Sequence, residues 1–246
     1  MIRALIQISS IMILTHFSKF SQPRNSVVLG LASLSGLFYC SWPLGFVLNP
    51  LGSRGLVSNL AGFSQPYNWL FIGFDIVCTG LVLLIAYWLW QKPHIKSSKL
   101  GLLIIGTYAA FGVTTFLSAI VPIDCAIDQQ QCGNLLQHPM AALHGLFSIL
   151  SIGLLTLNLL SFWWWRQRLA RLSFLQSSLF TLFVVGWFSA GLITAYVLIT
   201  EQPSAGPQYI FITANSVWLG AFPSLMLTGQ KNRRRPARAV KSRLDV

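Results

Sequence analysis

YNWLFIGFDIVCTGLVLLIAYWLW, residues 67–90, decides the fold. The stretch holds 24 residues and a single charged side chain, Asp75. As a helix rising about 1.5 Å per residue it is long enough to cross a hydrocarbon core of about 30 Å. Inside lipid every backbone polar group must be paired within the segment or in a closed barrel. Barrel strands alternate over about ten residues, and this run does not alternate. It therefore reads as a membrane-spanning helix. Working outward, equally apolar runs stand at 27–48, 100–121, 141–165, 174–200 and 209–228. The composition agrees, with 54% hydrophobic and 9% charged residues, against about a quarter charged in a globular domain. The expectation is an all-α polytopic membrane bundle of six transmembrane helices.

The net charge of +12 invites a nucleic-acid partner, and the placement of the charges argues against one. On a six-span path, 16 of the 17 Lys and Arg fall on one side. Arg3, Lys19 and Arg24 precede the first run, Lys92, Lys96 and Lys99 follow the second, and Arg166, Arg168 and Arg171 follow the fourth. Seven more lie in the tail KNRRRPARAVKSRLDV, and only Arg54 falls on the other side. Basic loops stay in the cytoplasm, so both termini are expected there, in the plasma (inner) membrane. Trp88, Trp90 and Trp163 to Trp165 cluster at cytoplasmic span ends, as an aromatic belt does. Three parts follow: an N-terminal cytoplasmic or interfacial segment at 1–26, a membrane domain at 27–228 and a basic cytoplasmic tail at 229–246. The tail is suited to anionic lipid headgroups. Walker, GxGxxG and CxxC motifs are absent from the sequence.

The chain has five acids, four His and four Cys. Two acids, two His and two Cys fall in VPIDCAIDQQQCGNLLQHPMAALHG, residues 121–145. Cys125 and Cys132 sit in a loop expected outside the membrane, where oxidising conditions favour a disulfide. Cys40 and Cys78 read as small apolar fillers. Small residues, Ala141, Gly145 and Ser148 on one run and Gly186, Ala190 and Gly191 on another, suggest close helix packing. Pro43 is expected to bend the first span.

Several polar groups fall at matching depth in the outer half. Asp75 is roughly 12 Å deep and His144 roughly 5–8 Å deep at the helical rise. Asn215, Asn68 and Ser41 complete the expected polar layer. A carboxyl group in hydrocarbon costs several kcal/mol unless it faces the bundle interior, so Asp75 is expected inside, with His144 as its first partner. Asp75, His144 and Ser41 are the candidate catalytic groups. Asp75, Asp124, His138 and His144 are candidate zinc ligands, because carboxylates and imidazoles hold Zn²⁺ with a place left for water.

SQPYNWLFIGFDIVCTGL, VPIDCAIDQQQC and HPMAALHG together resemble the prokaryotic integral-membrane family catalogued as domain of unknown function 998. The likeness covers roughly residues 27–228. It implies about six spans and points to Asp75, Pro122, Asp124, Cys125, Cys132 and His144, but implies no reaction. Three functions fit: a structural, sensory or lipid-interacting bundle; a metal-dependent hydrolase of lipid-like substrates; and a proton-coupled transporter. The hydrolase layout is loosely similar to ceramidase-type enzymes, whose further His pair on a late helix this chain lacks.

Overall fold

The computed structural model describes residues 24–50, 57–121, 138–169, 174–199 and 206–228. In chain order these form α1 (Asn25–Tyr39), α2 (Pro43–Leu48), a 3₁₀ turn (Val57–Ala61), α3 (Asn68–Trp90), α4 (Pro93–Lys96), α5 (Lys99–Ile120), α6 (Pro139–Leu169), α7 (Phe174–Ile199) and α8 (Gly206–Thr228). Among the described residues all regular structure is helical. Four helices, α3, α5, α6 and α8, are long and apolar enough to cross a membrane.

The distribution of polarity is that of a protein solvated by lipid. Leu37, Ile149 and Leu192 are about 70% exposed, at 68%, 69% and 70%. Asn158 and Asn215 are buried at 0% and 1%. Apolar side chains face outward at no cost in hydrocarbon, and polar ones turn inward to find partners.

Packing follows from those partners. α5 lies between α3 and α6, α1 lies between α3 and α8, and α7 packs on α8. The ring closes at Asn158 of α6, whose amide donates to the Ile104 carbonyl of α5 at 2.7 Å. Its oxygen accepts from the Trp218 indole of α8 at 3.0 Å. Phe162 packs beside this clamp against Trp218 and Phe222, with ring centroids at 5.3 and 5.8 Å. The Trp187 indole of α7 donates to Asn215 Oδ1 of α8 at 2.6 Å.

Two sequence expectations change here. The run 27–48 is not one helix. Pro43 lacks an N–H and cannot continue α1, but it suits the first position of a new helix. α1 therefore ends at Tyr39 and α2 begins at Pro43. The 15 residues of α1 span only about 22 Å. Trp42, in the break, stacks on Tyr209 at 4.4 Å and donates to Thr213 Oγ1 at 3.3 Å.

Of the small residues expected at close contacts, Ala141 is fully buried, Ser148 Oγ lies 2.9 Å from Ser118 Oγ, and a Cβ at Gly191 would meet the Phe211 ring at 3.2 Å, but two glycines meet no neighbour. A Cβ added at Gly145 or Gly186 would meet nothing within 4 Å. At Gly36 it would sit 2.5 Å from the Ser216 carbonyl oxygen. Ala32 and Gly36 of α1 thus meet Ser216 and Gly220 of α8, each pair one turn apart, so the backbones nearly touch. Helical spacing identifies small faces but not which of their residues sit where two backbones cross.

Lys92, Lys96 and Lys99 stand where α3 turns through α4 into α5. Lys96 Nζ lies 5.0 Å from the Trp90 ring centroid, a cation–π contact at this basic end. The candidate site lies towards the opposite, far end.

Candidate functional site

A cavity of about 160 Å³ opens between α1, α3, α5, α6 and α8 towards the far end. Its polar lining includes Ser41, Asp75, Ser118, His144, Gln208 and Asn215, and its aromatic walls are Tyr39, Phe71 and Phe211. The 3₁₀ turn contributes Val57, Ser58 and Ala61. That turn is tied down by Gln208 of α8, whose side-chain oxygen accepts from the Val57 amide at 2.8 Å.

Each polar group arrives for a local reason. Ser41 reaches the cavity because Pro43 has ended α1 and left Cys40 to Trp42 outside either helix. Asp75 lies two turns into α3 and is only half-buried, because it borders the cavity. No described residue gives its carboxylate a hydrogen bond or an ion pair. His144, in the second turn of α6, is buried. Its Nδ1 lies 2.9 Å from the Ser118 carbonyl and 3.3 Å from the Val121 carbonyl. A carbonyl can only accept, so Nδ1 carries the proton and donates. Ser118 lies in the last turn of α5 and Val121 caps its end, where carbonyls have no partner inside the helix. His144 therefore caps α5.

Below His144 runs a seam of hydroxyls between α5 and α6. Ser118 Oγ and Ser148 Oγ are 2.9 Å apart. Ser151 donates to Thr114 Oγ1 at 2.8 Å, and Thr115 donates to Ser151 Oγ at 3.4 Å.

The family described as "Protein of unknown function (DUF998)" matches residues 31–224. The chain belongs to this family. The match covers every residue that borders the cavity. No curated protein and no solved structure matches the chain. Apolar helices and family membership together make this DUF998 protein an integral, multi-pass membrane protein.

Against the sequence reading, the cavity gathers Asp75, His144, Asn215 and Ser41. Asn68 is not among its walls. It stands at the start of α3, where its side-chain oxygen accepts from the Trp69 amide at 2.7 Å. The expected direct pairing of Asp75 with His144 is not made, because α5 stands between their helices and takes the imidazole proton. Of the four candidate zinc ligands, Asp75 and His144 border the cavity. His138 precedes α6, where its carbonyl accepts from the Ala142 amide at 3.1 Å. Asp124 lies outside the described residues, as do Pro122, Cys125 and Cys132. Among the described residues no three of His, Cys, Asp and Glu come together. Cys40 and Cys78 are free thiols.

Sequence reasoning passed over Tyr39, Gln208 and the hydroxyl seam. The signal for the seam was present: Thr115 with Ser118, and Ser148 with Ser151, each repeat at a spacing of three residues. That spacing puts both hydroxyls on one helix face.

Proposed function

We propose that this DUF998 protein is a ligand-binding membrane bundle of the sensory or lipid-interacting kind. It has six spans at 27–228, both termini in the cytoplasm, and a site reached from the outer face of the plasma membrane. The observation that carries this reading is the Asp75 carboxylate, which borders a cavity and has no partner among the described residues. A carboxylate kept only to hold helices together would be paired, since an unpaired charge in a low-dielectric interior is costly. An unpaired one at a cavity wall is poised for something that enters. The placement of 16 of 17 basic residues supports the orientation. The tail at 229–246 then lies among anionic headgroups.

Thiol labelling tests the reading. In a variant without native cysteines, Ser41→Cys is expected to react with a membrane-impermeant reagent applied outside intact cells. Filling the cavity with Ser148→Phe is expected to block that reaction. Phe63→Cys, exposed at the far end, serves as the positive control. An inert Ser41→Cys beside a reactive Phe63→Cys would sink the outward-facing cavity.

One observation favours a second reading, proton-coupled carriage through the same cavity. Carriers place their sites at discontinuous helices, and the break at Cys40 to Trp42 borders this one. A ligand that accumulates in vesicles only under an imposed proton gradient would select carriage over sensing.

A further inference from the structure

We infer that the cavity takes a small organic ammonium ion that also carries an acceptor oxygen, as an amino alcohol does. This rests on the cavity being a ligand site and adds the chemical class. Three observations converge on it.

The first is charge. Among the described residues bordering the cavity, Asp75 is the one carboxylate and there is no lysine or arginine. His144 borders it as well. Its Nδ1–H is committed to the carbonyls of Ser118 and Val121, so in the neutral ring Nε2 is an acceptor, with Ser118 Oγ 3.5 Å away.

The second is the end of α1. Tyr39 closes that helix and borders the cavity. Its carbonyl has lost its usual donor, because residue 43 is proline. The C-terminal end of a helix carries partial negative charge. Tyr39 borders the same cavity as Asp75, so this end of α1 stands beside the carboxylate.

The third is which atoms the neutral amides have left to offer. Asn215 spends its oxygen on the Trp187 indole, and Gln208 spends its oxygen on the Val57 amide. What each still has toward the described residues is an NH₂ group, a donor, beside the second lone pair of its oxygen. A ligand oxygen can accept from these while an ammonium group donates to Asp75. The rings of Tyr39, Phe71 and Phe211 suit the face of a cation. A free anion finds no lysine or arginine among the described residues of these walls. The volume of about 160 Å³ is several times that of one water, which fits a molecule of a few heavy atoms better than a bare ion.

The test uses three two-carbon probes: ethanolamine, ethylene glycol and glycolate, which are cationic, neutral and anionic near neutral pH. Each is titrated into the full-length protein in detergent by calorimetry. Ethanolamine is expected to bind in the millimolar range, with the other two at least about tenfold weaker. Asp75→Asn is expected to lose that preference, and Asp75→Glu to keep it. Ethanolamine binding equally well to Asp75→Asn overturns the assignment. Equal binding of all three probes, blocked by Ser148→Phe, overturns the ammonium class and leaves the ligand cavity standing. If no probe binds the wild-type protein, the ammonium class is overturned, and the thiol labelling above decides the cavity reading alone. Phosphatidylethanolamine added in phosphatidylglycerol nanodiscs separates two sources of the same group. Displacement of bound ethanolamine supports the class with a lipid headgroup as its source. Failure to displace supports it with a soluble amine.

Discussion

His144 shows how one residue acquires its role from its neighbours. From the sequence it is a histidine near the start of a span, and either metal binding or pairing with Asp75 would use it. In the fold its Nδ1–H meets the end of α5. Removing it leaves buried carbonyls unsatisfied, a loss of about 1–3 kcal/mol. His144→Ala is therefore expected to lower the thermal midpoint in detergent clearly. His144→Gln, which retains an N–H donor, is expected to lose less. Equal losses in both variants would count against the capping role. Asn158 makes a similar case at the other side of the bundle. It is fully buried and satisfied by Ile104 and Trp218. Asn158→Ala is expected to cost about 1–2 kcal/mol of stability while leaving ligand binding unchanged, because Asn158 does not border the cavity. A variant with unaltered unfolding would show that the clamp contributes nothing net.

Among the elements, α1 departs most from its sequence. Its apolar run is long enough for a span, and Pro43 alone signalled trouble. A proline in a helix allows either a kink or a stop. The stop prevails because Trp42 gains a stacked partner in Tyr209 and a hydrogen bond to Thr213. Those contacts are more than 160 residues away in sequence, so no local pattern displays them. The crossing of α1 on α8 is likewise set by tertiary contact. Gly36→Val would force a side chain into the Ser216 carbonyl, and a backbone atom cannot swing aside. Overpacking of this kind costs about 1–3 kcal/mol. Gly145→Ala meets open space and is expected to be neutral. Comparing the two thermal midpoints checks the crossing, and a tolerated Gly36→Val would contradict it.

For the whole molecule, the all-helical class and the four long apolar helices were legible because a bilayer imposes such helices. The polar inventory of the site was legible in part. Asp75, His144, Asn215 and Ser41 stood out because polar groups are rare in such runs and their depths could be counted. Their mutual arrangement was not legible, since depth along an axis leaves rotation and neighbour order free. Asn68 lies outside the cavity walls, and Asp75 and His144 border one cavity while the His144 ring proton goes to the end of α5. The central claim is that Asp75 is held unpaired for a ligand rather than paired to hold helices together. The most direct measurement is the unfolding stability of ligand-free Asp75→Asn against wild type in the same detergent. An unpaired carboxylate destabilises the resting protein, so the account predicts stability that is unchanged or raised by about 1 kcal/mol. A loss of about 3–5 kcal/mol, the cost of breaking a buried pair, would contradict it and make the carboxylate a structural strut.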